Sequence, residues 1–243
     1  MPPLTVDIAI PVLNEEKDLT PNVETVLAFL NEPYFGDFRL QLVIADNGST
    51  DQTPAIGKAL VLRHPERLRY VRLEQKGVGR ALKRVWNEST ADIVGYFDVD
   101  LATDLNHLPE ALAVCARQGA DLVYGTRLHR QSVVRGRTLK REITSRVFNT
   151  LVRFYLGTRF SDGMCGFKFL RRAIWGPLQQ AGAVNDGWFF STELLATAEW
   201  MGYRLYELPV RWTDNSDSRV KLVRLSLQYL EAMRVLKKRK PVA

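Results

Sequence analysis

Four short apolar runs, Val6–Ile10, Leu40–Ala45, Arg69–Leu73 and Ile93–Phe97, alternate with segments of helical periodicity at Asp18–Leu30, Thr53–Arg63, Val78–Trp86 and Leu108–Arg117. A fifth run, Asp121–Tyr124, closes this half of the chain. The β-α-β-α order predicts an α/β fold, a mostly parallel central sheet with helices on both faces. Such sheets bind ligands beyond the carboxyl ends of their strands. Three polar segments fall at that edge: Pro11–Glu16, Asp46–Asp51 and Asp98–Asp100.

The third segment carries the most chemistry. Asp98-Val99-Asp100 begins where Ile93–Phe97 ends, and two carboxylates that close repel each other unless a cation joins them. Hard oxygen ligands suit Mg²⁺ or Mn²⁺, which one or two carboxylates commonly hold together with substrate phosphates. Asp98 and Asp100 are therefore the candidate metal ligands, gripping a diphosphate. The other two segments have a structural reading as well. In Asp46-Asn47-Gly48-Ser49-Thr50-Asp51 the hydroxyls and Asp51 suit a turn and helix N-cap. Asp46 fits that reading less well, since its carboxylate at a strand end can accept from a base N–H or a ribose hydroxyl. The acids of Pro11-Val12-Leu13-Asn14-Glu15-Glu16 can equally favour the next helix N-terminus. Lys76-Gly77-Val78-Gly79-Arg80 lacks the third glycine of a dinucleotide fingerprint, which argues against a dehydrogenase. It reads as a turn with close backbone approach and two cations able to face phosphate.

Charge divides the chain. Residues 1–126 hold 12 Lys and Arg against 18 Asp and Glu, and residues 127–243 hold 22 against 9. The acidic half contains the metal candidate, so the basic half faces an anion. Aromatic residues are not interleaved with the basic ones as in a stacking platform, which argues against nucleic acid. A phosphorylated acceptor or an anionic membrane surface fits. Cys115 and Cys165 form no framework and read as reduced thiols. No run approaches the ~18–20 apolar residues of a membrane span, and the N-terminus resembles no secretory signal. A cytoplasmic location follows as the expectation, peripheral on the inner face of the membrane.

The second half reads as a mobile basic loop (Arg127–Arg137), a helix over Leu139–Tyr155, a loop at Phe160–Gly166 and a short strand at Phe167–Leu170. A helix near Ser191–Met201, a strand over Tyr203–Trp212 and a final helix over Leu222–Lys238 complete it. From Arg219 to Lys240 the chain has eight basic residues and one acid. That end suits an anionic membrane or a membrane partner protein, and the alternative is a helix packed on the core.

As a set, Pro11–Glu16, Asp46–Asp51, the Gly77/Gly79 loop and Asp98–Asp100 resemble the family 2 glycosyltransferases of the GT-A fold. The second half narrows the resemblance to polyprenyl-phosphate (dolichyl-phosphate type) hexose synthases. It does so through Tyr124–Arg127, Arg141–Arg146, Asp162–Lys168, Glu207–Trp212 and Ser218–Val220. The resemblance implies a single domain over residues 1–243. Residues 1–126 would form a nucleotide-sugar and metal half, 127–218 an acceptor half, and 219–243 a basic amphipathic helix. It implies an inverting, metal-dependent hexosyltransferase using a nucleotide sugar, a UDP-sugar favoured over GDP-mannose, and a polyprenyl phosphate acceptor.

By position, Pro11, Leu13, Glu15 and Asp46 would line the nucleoside pocket, with Asp98 and Val99 beside the donor and Asp100 the principal metal ligand. Arg127 would reach both donor and acceptor phosphates, Arg141 and Ser145 would cradle the acceptor phosphate, and Arg219 would close over the donor. Two positions depart from the pattern. Ala102 stands where the mannosyl branch has a metal-holding glutamine, and Asp98–Thr103 and Cys165–Lys168 look more like the glucosyl branch. Ser191 stands where Phe-Asp-X-Glu would put Asp. Many relatives also carry C-terminal transmembrane helices, which this sequence lacks. The chemistry is consistent, because a phosphate acceptor is already ionised and needs no strong base. Two rival readings are a transferase acting on a soluble or polysaccharide hydroxyl, with Asp162 or Glu193 as base, and a non-catalytic nucleotide-sugar or membrane-binding protein.

Overall fold

The computed structural model describes residues 2–117, 119–214 and 222–240. The predicted α/β architecture is present. The first strand, β1 (Leu4–Val12), is buried from Val6 onward on both faces, as expected of a strand covered by helices. It pairs in parallel with β2 (Phe38–Asp46) and β4 (Ile93–Phe97), and β2 pairs in parallel with β3 (Leu68–Arg72). The sheet continues through β7 (Phe167–Arg171), antiparallel to both β4 and β5 (Leu122–Thr126), and ends at β8 (Leu205–Pro209). The order β3-β2-β1-β4-β7-β5-β8 reverses its winding between β1 and β4, which opens a crevice at their carboxyl ends. Gly95 lets β7 approach there: a Cβ would stand 2.1 Å from the Phe169 ring.

Helices α1 (Leu19–Phe29), α2 (Thr53–Arg63) and α4 (Leu108–Arg117) cross between strands. So does α3 (Val78–Glu88), which buries Ala81, Leu82, Val85 and Trp86 at helical spacing. In the second half, α5 (Leu139–Leu156) starts at Thr138, whose hydroxyl accepts from the Arg141 amide. The last helix is α8 (Leu222–Lys238).

Three sequence expectations need correction. The basic segment Arg127–Arg137 is not wholly a loop. Val133–Arg135 forms β6, paired in parallel with β9 (Arg211–Thr213), and the Ser132 hydroxyl donates to the Thr126 carbonyl. The strand expected over Tyr203–Trp212 splits at Val210, whose amide donates to Thr126 and whose carbonyl accepts from Val133. The chain thereby changes partner from β5 to β6. Finally, α6 (Arg172–Ala181) went unanticipated because Gly176-Pro177 reads as a break. Burial of Ile174, Trp175 and Leu178 overrides that propensity, with Trp175 edge-on to Trp86 at 5.1 Å. Helix α7 (Phe190–Trp200) is buried from Phe190 to Ala198.

The apolar face of α8 is only partly covered where its side chains are described, with Leu230 and Val235 exposed. Met233 and Leu236 are buried, and Tyr229 packs on Phe148 of α5 and on Phe189. Among the described residues no helix is long and apolar enough to cross a membrane.

Candidate active site

Asp98, Val99 and Asp100 leave β4 into a turn held from several sides. The Asp98 amide donates to Gly166, the Leu101 amide donates back to Asp98, and Asn22 of α1 donates to the Val99 carbonyl at 2.9 Å. Leu101 adopts φ 51°, a left-handed conformation costly for a residue with a Cβ. Its side chain packs against the core, and an Asp100 oxygen accepts from the Ala102 amide at 3.0 Å, so the surroundings impose the strain. Gly166 is required beside this turn, since a Cβ there would fall 1.9 Å from an Asp98 oxygen. Burial and then the neighbouring Asp100 charge push the Asp98 carboxyl up to about 7. Burial chiefly raises Asp100 as well, with Asp214 adding to it. Two carboxylates disfavoured as anions on one strained turn are what a divalent cation would relieve, so these residues fit the implied metal. The Val99 side chain lies in the core and its carbonyl accepts from Asn22. Ala102 is buried and offers no side-chain ligand.

The loops after β1 and β2 are zipped together. The Asn14 amide donates to the Ser49 hydroxyl (3.0 Å), the Glu15 amide to the Thr53 hydroxyl (2.8 Å), and the Thr50 amide to the Asn14 side chain (2.8 Å). Asp46 is fully buried. One of its oxygens accepts from the Ser49 amide and the other from the Tyr70 hydroxyl at 2.5 Å. The carboxylate thus holds its own turn and ties it to Tyr70 of β3. Pro11 is buried in β1, while Leu13 and Glu15 are half-buried at the rim. The Gly77/Gly79 loop serves packing: a Cβ at either would fall within 2.5 Å of the Asp186 or Asn185 carbonyl. Its expected phosphate-facing cation Arg80 is paired with Asp186 at 2.7 Å.

Across the cleft the side chains are charged. Arg127 makes a forked pair with fully buried Asp162, Nε to Oδ2 at 2.8 Å and Nη2 to Oδ1 at 2.9 Å. Burial opposes the Asp162 charge, but Arg127 prevails and holds that carboxyl down at about 2. Arg141, near the start of α5, bonds Asp214 at 2.5 Å, with Ser145 half-buried one turn further. Arg137 pairs with Glu142 at 2.9 Å, yet its Nε is buried without a partner. Burial and Arg127 lower its pKa. Arg127 and Arg137 both lie over the Trp212 ring, at 5.4 and 5.8 Å. Sequence reasoning missed Arg137 and Trp212 in this cluster, and the Arg130–Arg137 basic run was the available signal. Arg219 lies outside the described residues.

Beneath the cleft, Lys168 is fully buried, and among the described residues no carboxylate is bonded to it. Its ammonium donates to the Cys165 carbonyl and the Ser191 hydroxyl, both at 2.6 Å, and burial lowers it to about 8. Ser191 thus occupies the place of the expected Asp as a neutral acceptor. Glu193 is also buried, and its carboxylate accepts from the Val184 and Asn185 amides.

Comparison with known proteins agrees with this arrangement. Residues 7–176 match the family described as Glycosyl transferase family 2. The chain is 33% identical over 223 residues to glycosyltransferase AglD of Haloferax volcanii, covering 90% of this chain but 35% of that protein. It is 28% identical over 229 residues to a Drosophila melanogaster dolichyl-phosphate beta-glucosyltransferase (90% of this chain, 70% of the relative). It is 27% identical over 212 residues to a polyprenol monophosphomannose synthase of Mycolicibacterium smegmatis (85% and 77%). The fold is shared with glucosyl-3-phosphoglycerate synthase from Mycobacterium tuberculosis in complex with UDP. That structure aligns with TM-score 0.67 at 21% identity, over 99% of this chain and 82% of that one. With a carboxylate turn at the switch point of a GT-A-like sheet and a family match over residues 7–176, this chain belongs to glycosyl transferase family 2.

Proposed function

We propose that this glycosyltransferase is an inverting enzyme that moves a hexose from a nucleotide sugar to a polyprenyl phosphate at the cytoplasmic face of a membrane. The names of the Drosophila and mycobacterial relatives support the acceptor class. The observation that carries the reading is the state of the carboxylates on the acceptor side. A hydroxyl acceptor needs a base, and both candidates are engaged: Asp162 is held ionised by Arg127 and Glu193 caps a buried turn. Arg127, Arg137 and Arg141 gather on that side, each paired with a carboxylate, which suits an acceptor that arrives already ionised and competes for those arginines.

In this reading Pro11, Leu13, Glu15 and Asp46 bound the nucleoside side. Asp100 and Asp98 would hold Mg²⁺ or Mn²⁺, which places positive charge on the leaving diphosphate. The Mycobacterium tuberculosis neighbours were crystallised with UDP and either ion, which supports a UDP-sugar before GDP-mannose. An acceptor phosphate oxygen attacks the anomeric carbon from the face opposite the diphosphate, one carbon–oxygen bond forming as the other breaks. Arg127, Arg141 and Ser145 supply donors that offset the repulsion of two anions and fix the line of attack. The domain division is read in the same way, a donor half at 1–126 and an acceptor half at 127–218.

The test is turnover by the purified protein. UDP-glucose and GDP-mannose are supplied separately with Mg²⁺ or Mn²⁺, with and without a short polyprenyl phosphate, and nucleotide diphosphate and glycolipid are quantified. Phosphate-dependent consumption of one donor is expected. Turnover stimulated by a hydroxyl acceptor and indifferent to prenyl phosphate would overturn the proposal.

A further inference from the structure

Glu207 of β8 stands beside Tyr124 of β5 in the parallel register. Its half-buried carboxylate accepts from the Ser161 hydroxyl and from the Tyr124 hydroxyl, whose oxygen in turn accepts from the Ser161 amide at 3.4 Å. Burial and then the Glu207 charge raise the Tyr124 pKa, so this hydroxyl stays a proton donor. The Ser161 and Thr126 hydroxyls stand 2.6 Å apart, and the Thr126 hydroxyl accepts from the Leu128 amide at 3.1 Å. A carboxylate can only accept, so Glu207 fixes the direction of the whole relay. The Leu128 amide donates to Thr126, Thr126 to Ser161 and Ser161 to Glu207. Arg127 lies between Thr126 and Leu128, and Asp162 follows Ser161. The relay therefore runs through the neighbours of both members of the forked pair.

We propose that Glu207 is a positioning residue for sugar transfer: through Ser161 and Thr126 it sets where Arg127 meets the acceptor phosphate. This deepens the functional reading above and rests on it. The surroundings separate this role from that of a general fold anchor, because the loop at 159–163 has other supports. Glu199 accepts from the Arg159 and Phe160 amides, and Asn149 of α5 accepts from the Gly163 amide at 2.9 Å. Loss of Glu207 therefore leaves the loop in place and lets the two hydroxyls turn. Arg127 keeps Asp162, but the backbone segments that carry the pair lose their fixed register. A reacting group displaced by about 1 Å can lose about a hundredfold in rate.

The test uses the full chain carrying Glu207→Ala, Glu207→Gln, Ser161→Ala, or Glu207→Ala together with Ser161→Ala. Glu207→Ala should lower kcat for transfer to a short prenyl phosphate about tenfold to a hundredfold, while calorimetric affinity for the nucleotide sugar stays at the wild-type value. Glu207→Gln, whose amide oxygen still accepts from a hydroxyl, should recover most of that kcat. The double variant should be no slower than the worse single one, because both substitutions break one relay. Amide hydrogen exchange at Arg127 and Leu128 should quicken in Glu207→Ala, a readout that needs no acceptor. Should Glu207→Ala fail to fold, Ser161→Ala, which keeps the carboxylate, carries the same kcat and exchange measurements. Wild-type kcat in a folded Glu207→Ala variant overturns the proposal. So do losses that multiply in the double variant, or donor affinity that falls in step with kcat. If exchange quickens as expected while wild type glycosylates no prenyl phosphate, the tether to Arg127 stands and the functional reading fails.

Discussion

On the donor side of the cleft, the loops after β1 and β2 are joined by hydrogen bonds from backbone amides to side chains, neutral ones at Ser49 and Asn14 and carboxylates at Asp51 and Glu16. On the acceptor side, charges are neutralised in pairs: Arg127 with Asp162, Arg141 with Asp214, Arg137 with Glu142. A cradle fastened by backbone amides keeps its shape whatever occupies it. A set of ion pairs is different, because each Arg already has an anion and an incoming phosphate competes with it. Removing one partner of a buried pair leaves an uncompensated charge, so acceptor-side substitutions should cost stability as well as turnover, whereas the carboxylate turn should affect turnover alone.

The largest effect expected is from Asp100→Ala. Removing a carboxylate that burial disfavours as an anion offsets the loss of its bond from the Ala102 amide, so the thermal midpoint should hardly move. Transfer should fall about a thousandfold, roughly 4 kcal/mol of transition-state stabilisation, as the cation loses its anchor. A chelator should reproduce the loss. A folded variant with wild-type turnover in Mg²⁺ or Mn²⁺ would refute the metal assignment.

Asp162→Asn tests the opposite side and should show the opposite signature. It strands the Arg127 charge beside a neutral amide, at a cost of about 3–5 kcal/mol in unfolding free energy. The same pair predicts acid sensitivity. Asp162 is held at about 2 against an ordinary 3.8, so the folded protein takes up its proton less readily than the unfolded chain. That stabilisation is complete above about pH 4 and is lost as the pH falls towards 2. Urea titrations at pH 7, 4 and 3 should show the Asn variant losing less than wild type over this range. An equal loss in both would remove Asp162 from the acid response.

Arg141→Ala should raise the acceptor KM about tenfold to a hundredfold, and Ser145→Ala only a few-fold, since charged hydrogen bonds outweigh neutral ones. Calorimetric affinity for the nucleotide sugar without acceptor should be unchanged in both. Equal weakening of donor binding would merge the two sides that the structure separates.

The donor side was largely legible in the sequence because its signals are local. Apolar runs with turn residues at their ends give strand, loop and helix in order, and Asp98–Asp100 lies within three residues. Even so, the role of Asp46 depends on Tyr70, 24 residues away, and the Gly77/Gly79 loop on Asn185–Gly187. On the acceptor side almost nothing is local. Asp162 lies 35 residues from Arg127 and Asp214 lies 73 from Arg141, and no periodicity pairs them. Helix α5 was legible as a helix, but which of its faces meets the core is decided by packing against α8 and α7.

Ser191 offers the smallest and most discriminating test. Its hydroxyl accepts from the Lys168 ammonium (2.6 Å) and from Tyr96 (2.9 Å), and donates to the Gly163 carbonyl (2.8 Å). Ser191→Ala removes one of the ammonium's acceptors and leaves the Cys165 carbonyl, so about 1–2 kcal/mol of stability should be lost. Ser191→Asp gives Lys168 a carboxylate but turns the donor to Gly163 into a second acceptor, and the net change should be small. The two variants separate in pH dependence. Burial lowers Lys168 to about 8 from an ordinary 10.5, so the unfolded chain holds this proton more firmly than the folded protein. Wild-type stability therefore gains from this residue as the pH rises between about 8 and 10.5. An adjacent carboxylate raises the lysine again and should abolish that gain, while the Ala variant should keep it. Unfolding midpoints at pH 8 and 10 distinguish the cases. An identical pH slope in wild type and the Asp variant would mean that Lys168 is not the neutral-partnered cation beneath this cleft.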